Sequence, residues 1–206
     1  MFKIAVLVSG GGSNLQAIID SIKDGKLNCK IEMVISDREG AYGLERARIN
    51  NIPAYLVDRK IYGSETSNKI YELLKGKVDL IVLAGFLSIL KGDLIAEFKN
   101  RIINIHPSLI PAFCGNGMHG MNVHKSALEY GVKFSGCTVH FVDEGTDTGP
   151  IILQKVVPVY DEDTPEILQK RILVEEHKAL PEAIGMMAEG KIKVNDRKVM
   201  GGKLSD

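Results

Sequence analysis

Apolar residues along this chain fall into short unbroken runs, each followed by a helical pattern. Lys3 to Val8 (KIAVLV) has strand length and passes through Ser9-Gly10-Gly11-Gly12-Ser13-Asn14 into Leu15, Ile18, Ile19 and Ile22, which share one helix face. The same rhythm gives strands at Ile31 to Ile35, Ala54 to Val57, Val78 to Ala84 and Arg101 to Ile105, with helices at Gly43 to Asn50 and Ser64 to Leu74 between them. Runs without a polar face imply strands covered on both sides. Strands alternating with helices at such short intervals imply parallel pairing, so the first hundred residues read as a doubly wound, mostly parallel α/β sheet.

The pattern changes after Pro111. Ala112 to Asn122 is glycine-rich and aperiodic, hence a loop, and Val123 to Tyr130 is a helix stopped by Gly131. Gly136 to Val142 alternates, with Thr138 and His140 on one face and Val139 and Phe141 on the other. An acidic turn, Asp143 to Pro150, then leads into a strand at Ile151 to Val159, which predicts an antiparallel hairpin at the sheet's edge. Thr164-Pro165 opens a long helix to about Met187, with Ile167, Ile172, Leu173, Ala179 and Leu180 inward, a kink at Pro181, and Glu176 and His177 at the surface. The tail from Lys191 to Lys203 predicts a small hairpin around Asn195-Asp196. These elements predict one domain over residues 1–206, with a phosphate-binding half at 1–100 and a catalytic half at 101–206.

Composition narrows the function classes. The 206 residues carry 26 Lys plus Arg and 26 Asp plus Glu, a balance without the net field that draws nucleic acid or an anionic membrane. The most apolar run, Leu80 to Leu90, is too short to span a bilayer, and Met1-Phe2-Lys3 leads into the first strand without an export signal. A cytoplasmic protein acting on small molecules is expected. Cys29, Cys114 and Cys137 are scattered and without metal-ligand spacing, so they read as free thiols.

Candidate chemistry collects at the ends of the strands. Backbone N–H groups of Gly10 to Asn14, aimed along a helix whose cap is Ser13 or Asn14, make an anion cradle. Leu15 stands where a dinucleotide loop needs its third glycine, and the Lys-Ser/Thr of a triphosphate loop is absent. A single phosphate fits better, although Asp37 keeps a ribose-binding acid of a dehydrogenase nominally open. Phe86 to Leu90 offers apolar side chains to a flat ligand. In Arg101 to Pro111 (RIINIHPSLIP), Asn104 and His106 are two residues apart on an extended segment and point the same way. An imidazole beside a carboxylate from the acidic turn can donate to a developing oxyanion, with the Asn amide as a second donor. Nothing suggests a metal cluster or a nucleophile elbow, so acyl transfer to a nucleophile carried by the substrate is the favoured reaction.

Six stretches in order, VSGGGSNLQAII, AYGLERARINNI, VLAGFLSIL, INIHPSLIPAF, TVHFVDEGTDTGPIILQ and EEHKALP, make the chain resemble the phosphoribosylglycinamide formyltransferases over essentially its whole length. The resemblance implies a Rossmann-like formyltransferase fold and transfer of a formyl group from 10-formyltetrahydrofolate, as co-substrate and without a metal, to the amine of phosphoribosylglycinamide in purine synthesis. It implies that His106 and Asn104 polarise the formyl oxygen and that Asp147 keeps His106 protonated. It further implies that Gly12, Ser13, Asn14 and Glu176 hold the ribonucleotide. Leu87, Ser88, Ile89, Leu90, Asn104, Asp143, Glu144, Gly145, Thr146, Asp147 and Ser64 match folate positions, and Thr138 and His140 support the site. Ser64 and Ser88 stand where many members carry Arg, and the loop between Pro111 and His124 is longer than usual. A monomer or homodimer is expected. A formyltetrahydrofolate hydrolase, a methionyl-tRNA formyltransferase and a non-catalytic ribonucleotide sensor are the alternatives. The first normally has an added N-terminal domain and the second a C-terminal extension with a basic surface, while a sensor has no use for an acid-assisted imidazole.

Overall fold

The computed structural model describes residues 1–201. The chain divides into two compact units, Met1–Asn104 and Ile105–Asp206.

In the first unit, β1 (Phe2–Val8), α1 (Ser13–Lys23), β2 (Cys29–Ser36), α2 (Tyr42–Ile49), β3 (Ala54–Leu56), α3 (Arg59–Tyr62), α4 (Thr66–Leu74), β4 (Leu80–Leu83) and α5 (Asp93–Glu97) follow one another. They lead into β5 (Ile102–His106), whose last two residues belong to the second unit. The strands run in the order β3-β2-β1-β4-β5 and every pair is parallel. Ile4 to Val8 and Leu80 to Val82 are wholly inaccessible to solvent, as expected of parallel strands covered on both faces. The chain builds outward from β1 to β3 and returns to place β4 on the other side of β1. The reversal lies between β1 and β4, whose carboxyl ends are where open α/β sheets bind ligands.

The helix expected over Ser64 to Leu74 starts two residues later, and a short helix that was not expected precedes it. α3 is a single turn, a 3₁₀ turn spans Gly63–Glu65, and α4 starts at Thr66. Gly63 has φ +50°, outside the helical region, which breaks the run. Ser64 lies in the 3₁₀ turn and is exposed. Nor does Ser13 or Asn14 cap α1. The cap position is Gly12, in the left-handed conformation with φ +69°, and it makes no side-chain cap bond.

The second unit holds α6 (Met121–Tyr130), the antiparallel pair β6 (Phe134–Phe141) and β7 (Ile151–Pro158), and α7 (Pro165–Ala188). A hairpin of β8 (Lys193–Asn195) and β9 (Lys198–Met200) follows. The tail hairpin expected to run to Lys203 is thus present in its strands, and its last residues lie outside the described ones. α7 is capped by the Thr164 hydroxyl, which accepts from the Ile167 N–H, and it continues as helix through Pro181. It packs on β6, β7 and α6 through Leu168, Ile172, Glu176, Ala179 and Ala183. Ile172, Ala179 and Leu180 face inward as expected, whereas Ile167 is 45% exposed, Leu173 is half-buried, and Glu176, read as a surface residue, is buried. The spacing of the buried set follows the helical period, and the glutamate sits in its middle.

Candidate active site

Each unit carries a group of polar side chains that its own strands bring together. In the first unit the group forms at the carboxyl ends of β1, β2 and β4. Ser9, directly after β1, donates its hydroxyl to Asp37 Oδ1 at 2.5 Å and accepts from the Leu87 N–H at 2.8 Å. Ser88 donates to Asp37 Oδ2 at 2.5 Å, and the Ser9 N–H donates to the Gly85 carbonyl. Asp37 has no solvent exposure. It is a hub between loops, so the reading of Asp37 as a ribose-binding acid is not supported: both carboxylate oxygens are already engaged by serines.

The glycine loop is held from α2. The Gly43 N–H donates to the Gly10 carbonyl at 3.0 Å, and Arg46 Nε donates to the Gly11 carbonyl at 2.8 Å. A peptide N–H points opposite to its own carbonyl, so anchoring these two carbonyls toward α2 turns the Gly11 and Gly12 N–H groups away from it. A Cβ on Gly12 would lie 2.8 Å from the Gly43 Cα, so glycine is required both for the left-handed φ and for the close approach. The loop leads directly into the first turn of α1, beside that helix's free N–H groups. Leu87 and Ile89 are exposed while Phe86 and Leu90 are buried, so the apolar loop after β4 presents two side chains and anchors by the others. The Ser67 hydroxyl holds its end by accepting from the Lys91 N–H.

In the second unit the strand end and the acidic turn meet. His106 is 4% exposed; its Nδ1 lies 3.5 Å from Asp147 Oδ2 and its Nε2 lies 2.9 Å from the Phe113 carbonyl oxygen. A carbonyl can only accept, so Nε2 carries a hydrogen and donates it. His140 reaches the same carboxylate from β6, with Nε2 at 3.6 Å from Asp147 Oδ1, while its Nδ1 donates to the Phe141 carbonyl at 2.8 Å. Burial is the main influence on His140 and depresses its pKa, opposed in part by the Phe141 carbonyl and Asp147. Asp147 also accepts the Gly115 N–H at 3.0 Å and adopts φ +58°, a conformation that bends the acidic turn back toward β5 and β6.

Thr138 supports this centre rather than contacting its nitrogens. Its hydroxyl donates to the Ser108 carbonyl and accepts from the Ile110 N–H and from Gln154, which fixes the segment leaving β5. Asp143 shapes the turn by accepting the Gly145 N–H and the Thr148 hydroxyl, while Glu144, Gly145 and Thr146 are exposed. Asn104 is half-buried on β5, two residues before His106. Glu176 faces a different neighbour: burial, assisted by the Glu176 charge, pushes the Cys137 thiol up to about 12. Cys29 is likewise pushed up to about 12 by burial, and the Cys114 thiol is raised, so all three cysteines are free but none has thiolate character. Among the described residues no group of three or more His, Cys, Asp or Glu could hold a metal ion, and no helix is long and apolar enough to cross a membrane.

Four participants were missed or misread from the sequence. The Phe113 carbonyl and Gly115 N–H are backbone atoms, which residue identity does not disclose. Asp37 was visible, but its serine partners come from distant loops. His124, in the first turn of α6, is 2% exposed, and its Nδ1 has no hydrogen-bond partner. Burial, with the His106 charge as a smaller influence, lowers its pKa to about 4. A histidine opening a helix just after a glycine-rich loop was the one available clue.

The glycine loop at the reversal point of the sheet lacks the third glycine of a dinucleotide loop, Leu15 standing there, which sets the chain apart from nucleotide oxidoreductases. The formyl transferase family pattern matches residues 2–184, and the chain belongs to that family. It is 43% identical over 195 residues to the chloroplastic phosphoribosylglycinamide formyltransferase of Arabidopsis thaliana, covering 93% of this chain and 67% of that one. It is also 43% identical over 200 residues to the trifunctional purine biosynthetic protein adenosine-3 of Chironomus tentans, of whose length it spans 14%. The crystal structure of glycinamide ribonucleotide transformylase 1 from Symbiobacterium toebii superposes with a TM-score of 0.92 at 47% identity, over 98% of this chain and 95% of that one. A formyltetrahydrofolate deformylase from Pseudomonas syringae superposes with a TM-score of 0.88 at 27% identity, over 98% of this chain and 66% of that one. The doubly wound, mostly parallel fold with an antiparallel pair and a long C-terminal helix is therefore the fold of this family.

Proposed function

We propose that the chain is a phosphoribosylglycinamide formyltransferase, moving the formyl group of 10-formyltetrahydrofolate to the primary amine of phosphoribosylglycinamide. The observation that carries the reading is the placement of His106, with one ring nitrogen facing the Asp147 carboxylate and the other donating to a carbonyl oxygen. The Phe113 carbonyl stands in for the formyl oxygen. When substrate replaces it, the amine nitrogen bonds to the formyl carbon and negative charge develops on that oxygen. The His106 Nε2–H and the Asn104 amide donate to it. Collapse breaks the bond from the formyl carbon to N10 of the folate. The proton lost by the amine is delivered to N10, with Asp147 assisting its movement. Gly12 and Ser13 hold the ribonucleotide through backbone N–H groups and Asn14 through its side-chain amide, with Glu176 matching a further contact. The loops at Leu87 to Leu90 and Asp143 to Asp147 receive the folate.

A second reading, deformylation by water, is favoured by the likeness to the Pseudomonas syringae deformylase. One assay separates them: deformylation of 10-formyltetrahydrofolate followed by absorbance, with and without phosphoribosylglycinamide. Turnover that requires the ribonucleotide and yields its formylated product supports the transferase. Formate release without it establishes the hydrolase instead.

A further inference from the structure

Asp37 is a wholly buried carboxylate that neither the reaction nor the earlier reading of it accounts for. Its two oxygens are engaged in opposite directions. Oδ1 accepts the hydroxyl of Ser9, the residue that begins the glycine loop, and Oδ2 accepts the hydroxyl of Ser88, in the middle of the loop after β4. The two loops are also joined through Ser9, whose oxygen accepts the Leu87 N–H, and through the Ser9 N–H on the Gly85 carbonyl. The result is a closed circuit: Leu87 N–H to Ser9, Ser9 to Asp37, and Ser88 to Asp37. Hydroxyl donors to a buried carboxylate make short, directional bonds, and such a circuit polarises along its length. An ordinary loop anchor needs only one such bond. Here a single side chain from β2 fixes the entrances of both ligand loops at the reversal point of the sheet.

We propose that Asp37 is a positioning residue that couples the ribonucleotide loop to the folate loop, so that ordering of either one preorganises the other. This rests on the proposed assignment of those loops to the two substrates. Ser88 is the folate-side half of the device in this chain. Coupling of this kind appears as a shared effect on two Michaelis constants, because a disordered loop lowers the fraction of enzyme competent to bind each ligand.

The test is steady-state kinetics on the full chain, with phosphoribosylglycinamide and 10-formyltetrahydrofolate varied in turn. Transfer by the wild-type protein is measured first, so loss of the functional reading shows there and not in the variants. Asp37→Ala is expected to raise both KM values together, by about 5- to 10-fold, with kcat within about threefold. Asp37→Asn keeps one acceptor oxygen for Ser9 and offers an amide N–H to Ser88, and it is expected to restore both KM values to within about threefold of wild type. Should Asp37→Ala fail to fold, Ser88→Ala cuts only one bond. It is expected to raise the ribonucleotide KM about threefold as well as the folate KM, although Ser88 lies outside the ribonucleotide loop, and to do the same in the Asp37→Asn background, where the amide N–H still holds Ser88. Several results overturn the coupling: no change in either KM on Asp37→Ala, a change confined to one substrate in either Asp37→Ala or Ser88→Ala, or Asp37→Asn as damaging as Asp37→Ala.

Discussion

Two carboxylates, the buried Asp37 and the partly exposed Asp147, are each set between a pair of side chains, and they differ in what those partners can do. Asp37 takes hydroxyl hydrogens at 2.5 Å from Ser9 and Ser88, groups that keep their protons throughout the working pH range. Asp147 faces His106 and His140 at 3.5 and 3.6 Å, beyond a good hydrogen bond, and both of those rings can change their protonation. Short bonds to non-titrating donors fix loop positions. Longer contacts to imidazoles leave room for a proton to move. On the function proposed above, one residue type serves a rigid role in the first unit and a chemical role in the second, and the partners decide which.

The most damaging way to test that contrast is to remove the titrating side. His106→Ala or Asp147→Asn is expected to lower kcat by about two or more orders of magnitude while the circular dichroism spectrum stays native. Near-normal turnover in either would return the Asp147 cluster to the same structural category as Asp37.

The next effect concerns stability, and it arises from His124. Its folded pKa, lowered by burial to about 4, lies below the ordinary value near 6.5, so below pH 6.5 the unfolded chain takes up a proton that the folded chain refuses. The stability tied to this residue is complete above pH 6.5 and drains away as pH falls toward 4. Between pH 7.5 and pH 5 the loss amounts to about 2 kcal/mol, and His124→Gln should recover that amount of the acid-induced drop in urea denaturation. An unchanged pH dependence in the variant would mean that this histidine charges freely in the folded state.

On the first unit's side, Asn14→Leu is expected to raise the ribonucleotide KM by about tenfold and the folate KM far less, because the cradle serves one ligand. A selective effect on folate would reverse the assignment of the two loops. The smallest of these effects is Gly12→Ala. A left-handed φ of +69° and a Cβ lying 2.8 Å from the Gly43 backbone together cost about 1–2 kcal/mol, read as a lowered midpoint in thermal unfolding. A midpoint equal to wild type would show that the loop relaxes around the methyl group.

The amino-acid sequence by itself determined the strands of the first unit, because runs such as KIAVLV and LIVLA carry no polar face and are covered on both sides. It also determined the glycine loop, the β6–β7 pair and the start of α7, where turn and cap chemistry is local. His106, Asn104 and Asp147 were legible as candidates through motif and spacing. What only the tertiary structure decided is which of them touch, and through what. The Phe113 carbonyl on His106 and the Gly115 N–H on Asp147 are backbone contacts, available at any residue type and therefore silent in sequence. Ser9, Asp37 and Ser88 are joined only because β1, β2 and β4 end side by side. Glu176 passed for a surface residue because charge ordinarily marks exposure, whereas burial is decided by what packs against a helix face, and α7 lays that face on β6 and β7.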